Sequence, residues 1–321
     1  MGIIEYIKRS FFVKKSQGDR VTVDELISRS CKWNSLYGAV IGDICGSIYE
    51  FSNWRTDNPA EINLINDSCY FTDDTVLTAA LADAIENKVH HFRRRFHGHD
   101  YGAKDAQLVY SNSLRQWAHV FDEPYRGYGS GFMSWLYDPS GRPRQSCGNG
   151  AAMRISPIAW YFCKEMYPCQ LAGLLEEAKL ATMTTHGHPE GIKGAQAVCA
   201  AMCYAWHDFS KEEIRQKMAE YYPEGQYSYH LNHTLADIRP TYDFSESCMD
   251  TVPVAIIAFL ESHDFVSAIQ NAISVGGDSD TLAAITGSIA EAYYREIPED
   301  LKAFARSKLP FDIQKVLGMT R

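Results

Sequence analysis

Apolar residues recur along this chain at the spacing of amphipathic helices, and the alternation of apolar and polar residues that is typical of strands is nearly absent. Many of the apolar runs consist of small residues. Helices are predicted over residues 33–49, 151–163, 174–183, 192–206, 251–260 and 265–274, and a further helix is predicted to begin at residue 76. After a cluster of acids at residues 276–281, the remainder of the chain to residue 321 is predicted to be helical, with loops at Pro298 and Pro310. The pattern therefore predicts an all-α protein.

The predicted helix over residues 33–49 contains glycines every four residues, at Gly38, Gly42 and Gly46. Glycine at this spacing lets a neighbouring helix or a ligand approach the backbone closely. Asp43 lies within the same segment, which favours a buried helix of a soluble protein over a membrane helix. We interpret Asp43 as a structural acid that accepts hydrogen bonds rather than as a metal ligand.

The composition is that of one globular domain. The 321 residues are 45% hydrophobic, enough to bury a large core, and no linker rich in Pro or Ser divides them. We predict a domain over residues 34–321 after an N-terminal extension of residues 1–33. The extension mixes apolar residues with Lys and Arg, so a basic amphipathic helix, a helix packed on the domain surface and a disordered tail all remain open.

Net charge and cysteine content further restrict the class of protein and its cellular location. A formal net charge of −9 argues against a general nucleic-acid-binding protein, because no dominant basic field would attract phosphates. Nine irregularly spaced cysteines without a CxxC pair favour reduced thiols and a cytoplasmic location. No apolar run reaches the length of a membrane span.

Two clusters of acids with threonines precede apolar runs far apart in the chain. The first is Thr72–Thr75, with Asp73 and Asp74 at the predicted first turn of a helix; the second is Gly276–Thr281, with Asp278 and Asp280. Either cluster alone could simply cap its helix. Facing each other, they would offer the hard oxygen ligands that Mg²⁺ and Mn²⁺ prefer, enough for a pair of ions.

A glycine-rich loop is predicted over residues 123–150. Gly148, Asn149 and Gly150, at its end, are predicted to open the helix 151–163, where free backbone N–H groups would suit an anion such as a pyrophosphate. Pro157 is predicted to kink or break that helix. Residues 207–247 are polar and rich in tyrosine, and one interpretation is an insertion at the rim of a cleft.

Five motifs together resemble the ADP-ribosylglycohydrolases, the family of the dinitrogenase-reductase-activating glycohydrolases and the ADP-ribosyl-acceptor hydrolases. They occur in the family's order between Tyr37 and Thr286. The motifs are Gly38–Asp43 with Gly46–Phe51, Thr72–Thr75, Gly148–Arg154, Thr185–His186 with Gly194–Ala195, and Gly276–Thr281. The resemblance implies a compact orthogonal bundle of many helices around a cleft with two metal ions.

The resemblance also implies roles for particular residues. Two divalent cations, Mg²⁺ or Mn²⁺, would be held by Thr72, Asp73, Asp74, Asp278, Asp280 and Thr281. Substrate would contact Gly148, Asn149, Gly150, His186, Gly276 and Gly277. The catalytic residues would be Glu50, Asp73 and Asp278. For Glu50 a solvated helix end is the alternative, and for His186 a capping or core histidine.

The leading functional hypothesis is a hydrolase that removes ADP-ribose from modified protein side chains. Such cleavage at ribose C1″ passes through an oxocarbenium-like state. The alternative is an immunity-type binding protein that blocks an ADP-ribosyltransferase toxin by contact through residues 1–33, with or without hydrolysis. An ADP-ribosylated protein is the expected substrate, a cognate transferase is a candidate partner, and the acceptor residue stays open between arginine, serine and others.

Overall fold

A computed structural model describes residues 36–95, 103–122, 127–165 and 171–320, with the backbone only for 87–95, 103–105 and 164–165. This part of the chain forms helices joined by loops, without a strand, and its two isolated β-bridges pair Gln145 with His186 and Gly148 with Ser247. The prediction of an all-α fold is confirmed. The predicted extension, residues 1–33, lies outside the described residues.

The α-helices are numbered in chain order. They are α1 Tyr37–Gly46, α2 Asp73–Arg95, α3 Ala103–Val120, α4 Ser130–Leu136, α5 Ser156–Glu165, α6 Leu171–Thr182, α7 Pro189–Trp206, α8 Lys211–Ala219, α9 Leu235–Ile238, α10 Cys248–Leu260, α11 Phe265–Ile273, α12 Ser279–Tyr294, α13 Glu299–Lys308 and α14 Phe311–Val316. Short 3₁₀ helices occur at Glu50–Ser52, Pro59–Glu61 and Asn149–Ala151. Of these α-helices, none is long and apolar enough to cross a membrane.

Two local predictions were wrong. The segment after Gly148 forms only the 3₁₀ helix Asn149–Ala151, and α5 begins at Ser156, so Pro157 lies in the first turn of a helix. Proline fits there because the N–H that it lacks has no partner within the helix. The predicted long loop over residues 123–150 contains α4, in which Phe132, Trp135 and Leu136 are buried.

Helix α1 is buried along its whole length and packs against α12. A Cβ atom built on Gly38 would lie 2.2 Å from the carbonyl oxygen of Gly287, and one on Gly42 would lie 2.1 Å from that of Ala283. On Gly46 it would lie 2.5 Å from the Cα of Asp280. The close approach predicted from the glycine spacing is therefore confirmed, and the partner is α12.

A carboxylate of α12 fixes the position of α1 along this contact. Glu291 accepts hydrogen bonds from the backbone N–H groups of Tyr37 (3.2 Å) and Gly38 (2.7 Å). These are first-turn donors, which lack partners within their own helix. Burial raises the pKa of Glu291 to about 7, against the lowering effect of these two bonds.

We expect Gly42→Ala to destabilise the protein by about 3 kcal/mol, because its methyl group would overlap the backbone of α12 and force the two helices apart. Urea unfolding measures the change. The matched control is Gly173→Ala in α6, where a Cβ meets no atom within 4 Å. The control should be neutral or up to about 1 kcal/mol stabilising. Equal stability of the two variants would contradict the packing described for α1.

Candidate active site

The first acid cluster lies at the start of α2, and Asp43 of α1 accepts hydrogen bonds from its threonines. The Thr72 N–H lies 3.0 Å and its hydroxyl 2.8 Å from carboxylate oxygens of Asp43. The Thr75 N–H donates to Asp43 at 3.1 Å, and the Thr75 hydroxyl donates to it as well. The interpretation of Asp43 as a structural acid is confirmed. These bonds place Asp73 and Asp74 in the first turn of α2.

The second cluster starts in the turn between α11 and α12. Gly276 and Gly277 have φ values of 82° and 68°, a left-handed backbone that favours glycine. A Cβ on Gly277 would also lie 2.7 Å from the ring of Tyr242. Neither glycine lines the cleft, so their position gives no support to the prediction that they bind substrate. The turn instead brings Asp278 and Asp280 to the start of α12.

Both clusters open into one cleft, together with Glu50 and the segment around Gly148. The cleft lining includes these predicted residues: Glu50, Asp73, Asp74, Gly148, Asn149, Gly150, His186, Asp278, Asp280 and Thr281. Carboxylate oxygens of Glu50, Asp278 and Asp280 lie within 4.8 Å of one another. The Thr281 hydroxyl donates to Asp74 at 3.2 Å and so connects the two clusters.

Thr72 is the predicted metal ligand that does not line the cleft. Its side chain is buried, and its hydroxyl proton is donated to Asp43. The hydroxyl oxygen of Thr72 keeps its lone pairs, through which it could still bind a cation.

The cleft concentrates negative charge away from water. Burial, followed by repulsion from neighbouring carboxylates, raises the pKa values of Asp73, Asp74 and Asp280 well above their usual range. Burial likewise raises the pKa of Asp278, and together with the charge of Asp278 it raises that of Glu50 to about 8. A site that holds these carboxylates as anions needs cations, which fits an oxygen-rich site for divalent metal ions.

The Gly148–Gly150 segment contributes an amide to the acid cluster. The side-chain nitrogen of Asn149 donates to Asp278 at 2.6 Å and to the hydroxyl of Thr251 at 3.1 Å. The backbone N–H of Asn149 donates to the carbonyl of Glu246 at 2.7 Å. The segment does not begin an α-helix, so its predicted role as a helix N-terminus for an anion is not supported. The side chain of Asn149 instead orients Asp278.

Several cleft residues were not predicted. Among them are Phe132, Arg144, Arg154, Phe244 and Glu246. For Arg154 a sequence signal existed, since an arginine within the apolar stretch 151–155 must find charged or polar partners when it is buried. Phe244 and Glu246 come from the polar segment 207–247, for which one interpretation was a position at the rim of a cleft, but its weak periodicity predicts no individual side chain there.

Asn53, three residues after Glu50, connects the segment that carries Glu50 to the second acid cluster through hydrogen bonds. The side-chain oxygen of Asn53 accepts hydrogen bonds from the Gly277 N–H (2.9 Å) and from Arg55 (3.3 Å). Its side-chain nitrogen donates to Asp243 at 3.0 Å. Asn53 itself has a left-handed backbone, with a φ of 47°.

A family model described as ADP-ribosylglycohydrolase matches residues 30–311. Mouse ADP-ribosylhydrolase ARH3 is 24% identical over 82% of this chain and 84% of its own length. ADP-ribosylarginine hydrolase Tri1 of Pseudomonas putida (strain GB-1) is 22% identical over 87% of this chain and 74% of its own. An uncharacterized protein of Archaeoglobus fulgidus is 29% identical over 47% of this chain, and the match spans only half of that relative.

A solved structure titled ADP-ribosylglycohydrolase-related protein complex shares the fold. It superposes with a TM-score of 0.53 at 21% sequence identity, covering 88% of this chain and 95% of its own. The fold and the family match define the class of protein, a hydrolase of glycosidic bonds. The chain belongs to the ADP-ribosylglycohydrolase family.

We expect Asp43→Asn to lower the free energy of unfolding by at least about 2 kcal/mol. The new amide group would face N–H and O–H donors of Thr72 and Thr75, and each buried donor left without an acceptor costs about 1–3 kcal/mol. Urea unfolding measures the loss. Asp67→Asn makes the same charge change at an exposed site and should stay within about 0.5 kcal/mol of wild type. An Asp43→Asn variant as stable as this control would refute the structural role of Asp43.

Proposed function

We propose that this protein is a metal-dependent hydrolase that removes ADP-ribose from modified protein side chains. The bond broken joins ribose C1″ to an acceptor nitrogen or oxygen. The observation that carries the proposal is the convergence of the two acid clusters, from α2 and α12, on one cleft that also contains Glu50 and His186. Family membership supports the same chemistry.

The donor set of the cleft fits two divalent cations, Mg²⁺ or Mn²⁺. Carboxylate and hydroxyl oxygens are the ligands that both ions favour. The residues that would hold them are Thr72, Asp73, Asp74, Asp278, Asp280 and Thr281. When bound, such ions orient hydroxyl groups of a substrate and lower the pKa of a water molecule.

The protein's own groups would hold the acids of the site in place and exchange protons with the substrate. Asn149 holds Asp278 through a hydrogen bond of 2.6 Å, and Asp43 holds the start of α2. Glu50 is partly buried at the cleft wall, within 4.8 Å of Asp278 and Asp280, where its carboxyl group can exchange a proton with the acceptor or with water. Proton transfer of this kind is what an oxocarbenium-like transition state requires.

The contact-inhibition alternative depends on residues 1–33, which lie outside the described residues. It therefore stays a prediction, as does binding to a cognate transferase. Within the described part of the chain, the cleft favours hydrolysis.

We expect Asp73→Asn and Asp278→Asn each to reduce hydrolysis at least 100-fold at limiting metal. Because both acids belong to one site, the double variant should lose little more than either single variant. Release of ADP-ribose from an ADP-ribosylated protein measures the activity, and calorimetry with Mg²⁺ or Mn²⁺ measures metal binding. Asp67→Asn is the matched control, since it removes an exposed carboxylate that does not line the cleft.

The metal-free protein provides a second readout for Asp73→Asn. A carboxyl group whose pKa is raised in the folded state reduces stability as the pH rises above its unfolded pKa, and asparagine cannot titrate. With chelator at neutral pH, the Asp73→Asn variant should therefore be at least as stable as wild type. Wild-type turnover by either single variant would overturn the proposed metal site, and inactivity caused by unfolding would show as lost stability.

We expect Glu50→Ala to lower kcat by about 100-fold while changing the Kd for ADP-ribose by less than threefold, if its carboxyl group acts in the transition state. Glu61→Ala is the matched control, since Glu61 is an exposed acid in another short 3₁₀ helix, Pro59–Glu61. An unchanged kcat would exclude a role of the Glu50 carboxyl group in the transition state.

A further inference from the structure

A buried chain of hydrogen bonds connects Arg154 to the histidine of the cleft. The Nη2 atom of Arg154 donates to the hydroxyl oxygen of Thr185 at 2.6 Å. The same oxygen lies 2.8 Å from Nδ1 of His186. All three side chains are buried, and Arg154 and His186 both line the cleft.

The direction of these bonds follows from the groups themselves. A guanidinium group can only donate, so the Thr185 oxygen must accept from Arg154. The single hydroxyl proton of Thr185 then needs an acceptor, and Nδ1 of His186 is the one that the described residues provide. An Nδ1–H would leave that hydroxyl proton without a partner in a buried site, which is unfavourable.

The charged groups that act on His186 oppose its protonation. They are the guanidinium groups of Arg154 and Arg144, and both add to the effect of burial. Together, burial first and then the two arginines lower the pKa of His186 to about 3. Arg154 itself keeps its charge at neutral pH, because burial lowers its pKa only to about 10 and nearby Asp73 and Asp74 oppose the shift.

The other ring nitrogen faces the Gly148–Gly150 segment. A Cβ atom on Gly150 would lie 3.2 Å from Nε2 of His186, and one on Gly148 would lie 3.5 Å from it. Glycine at both positions therefore leaves open the space beside this nitrogen. The backbone of His186 is also fixed, because its N–H donates to the carbonyl of Thr182 at 2.9 Å and the next N–H donates to that of Arg144 at 2.8 Å.

We propose that Arg154 and Thr185 are positioning residues that hold His186 as the neutral Nε2–H tautomer, with this N–H donating into the cleft to an oxygen of the ADP-ribose part of the substrate. The inference rests on the proposed function for the identity of the ligand. The tautomer itself depends only on the three side chains. A fixed neutral donor keeps one hydrogen bond to the substrate constant across the pH range in which an ordinary histidine gains its charge.

The ring nitrogens of His186 report the tautomer directly. In the full-length protein, two-bond ¹H–¹⁵N correlation spectra distinguish a protonated nitrogen from an unprotonated one, and the signals lost in His186→Gln assign the residue. We expect Nδ1 of the wild-type protein to be unprotonated, Nε2 to be protonated, and neither to titrate between pH 5 and pH 8. An Nδ1–H tautomer or an imidazolium in that range would overturn the proposal.

Variants at Thr185 test how the tautomer affects binding. Thr185→Ser keeps the hydroxyl and should preserve the spectrum and the Kd for free ADP-ribose. Thr185→Val removes the hydroxyl at similar volume, so both tautomers should appear and ADP-ribose should bind roughly tenfold more weakly. An unchanged Kd in a folded Thr185→Val variant would contradict the positioning role.

Failure of this inference can be told apart from failure of the proposed function. A protein with the expected tautomer that does not release ADP-ribose from modified protein would refute only the function. A protein that hydrolyses normally but carries Nδ1–H would refute only the tautomer. If Thr185→Val does not fold, the wild-type spectrum still decides which tautomer His186 adopts.

Discussion

The direct contact between the backbones of α1 and α12 is the constraint on which the cleft depends. Helix α1 carries Asp43, which holds the start of α2 and so places the first acid cluster. Helix α12 begins with the second cluster. Because hydrogen atoms of glycine are all that separates the two helices at Gly38, Gly42 and Gly46, the distance between the clusters is set by backbone geometry.

The acid clusters themselves work against folding. Raised pKa values show that burial and repulsion disfavour the charged carboxylates when no cation is present. Stability must therefore come from elsewhere, chiefly from the apolar surface that helices such as α10 and α12 bury. Sites that bind or react often have this character, since the groups that suit a ligand are poorly matched to one another without it.

Features that depend on local periodicity could be predicted from the sequence. The helices, the close approach of a helix to Gly38, Gly42 and Gly46, and the acids in the first turn of α2 all follow from spacing along a single segment. The structural role of Asp43 also follows, because an acid inside a small-residue helix has to find donors.

Other features depend on contacts between distant segments, and the sequence does not encode them locally. The glycines at 276 and 277 are explained by Tyr242 and Asn53, which pack against their turn. Just before the break between Ala151 and Ser156, where a helix start was expected, Asn149 makes tertiary hydrogen bonds to Asp278 and Thr251. Phe244 follows Asp243, which accepts a hydrogen bond from Asn53, and its ring stacks on that of Phe51. In each case the deciding partner is far away in the chain.

The bonds of Asn53 have a thermodynamic consequence for ligand binding. Asn53 joins the segment after Glu50 to the N–H of Gly277, next to Asp278. A ligand that displaces the Glu50 segment must break this bond, and its apparent affinity falls by the free energy of that step. A ligand at Asp278 that strengthens the Gly277 turn raises the same free energy. Two such ligands would oppose each other's binding, and the effect would be equal in both directions.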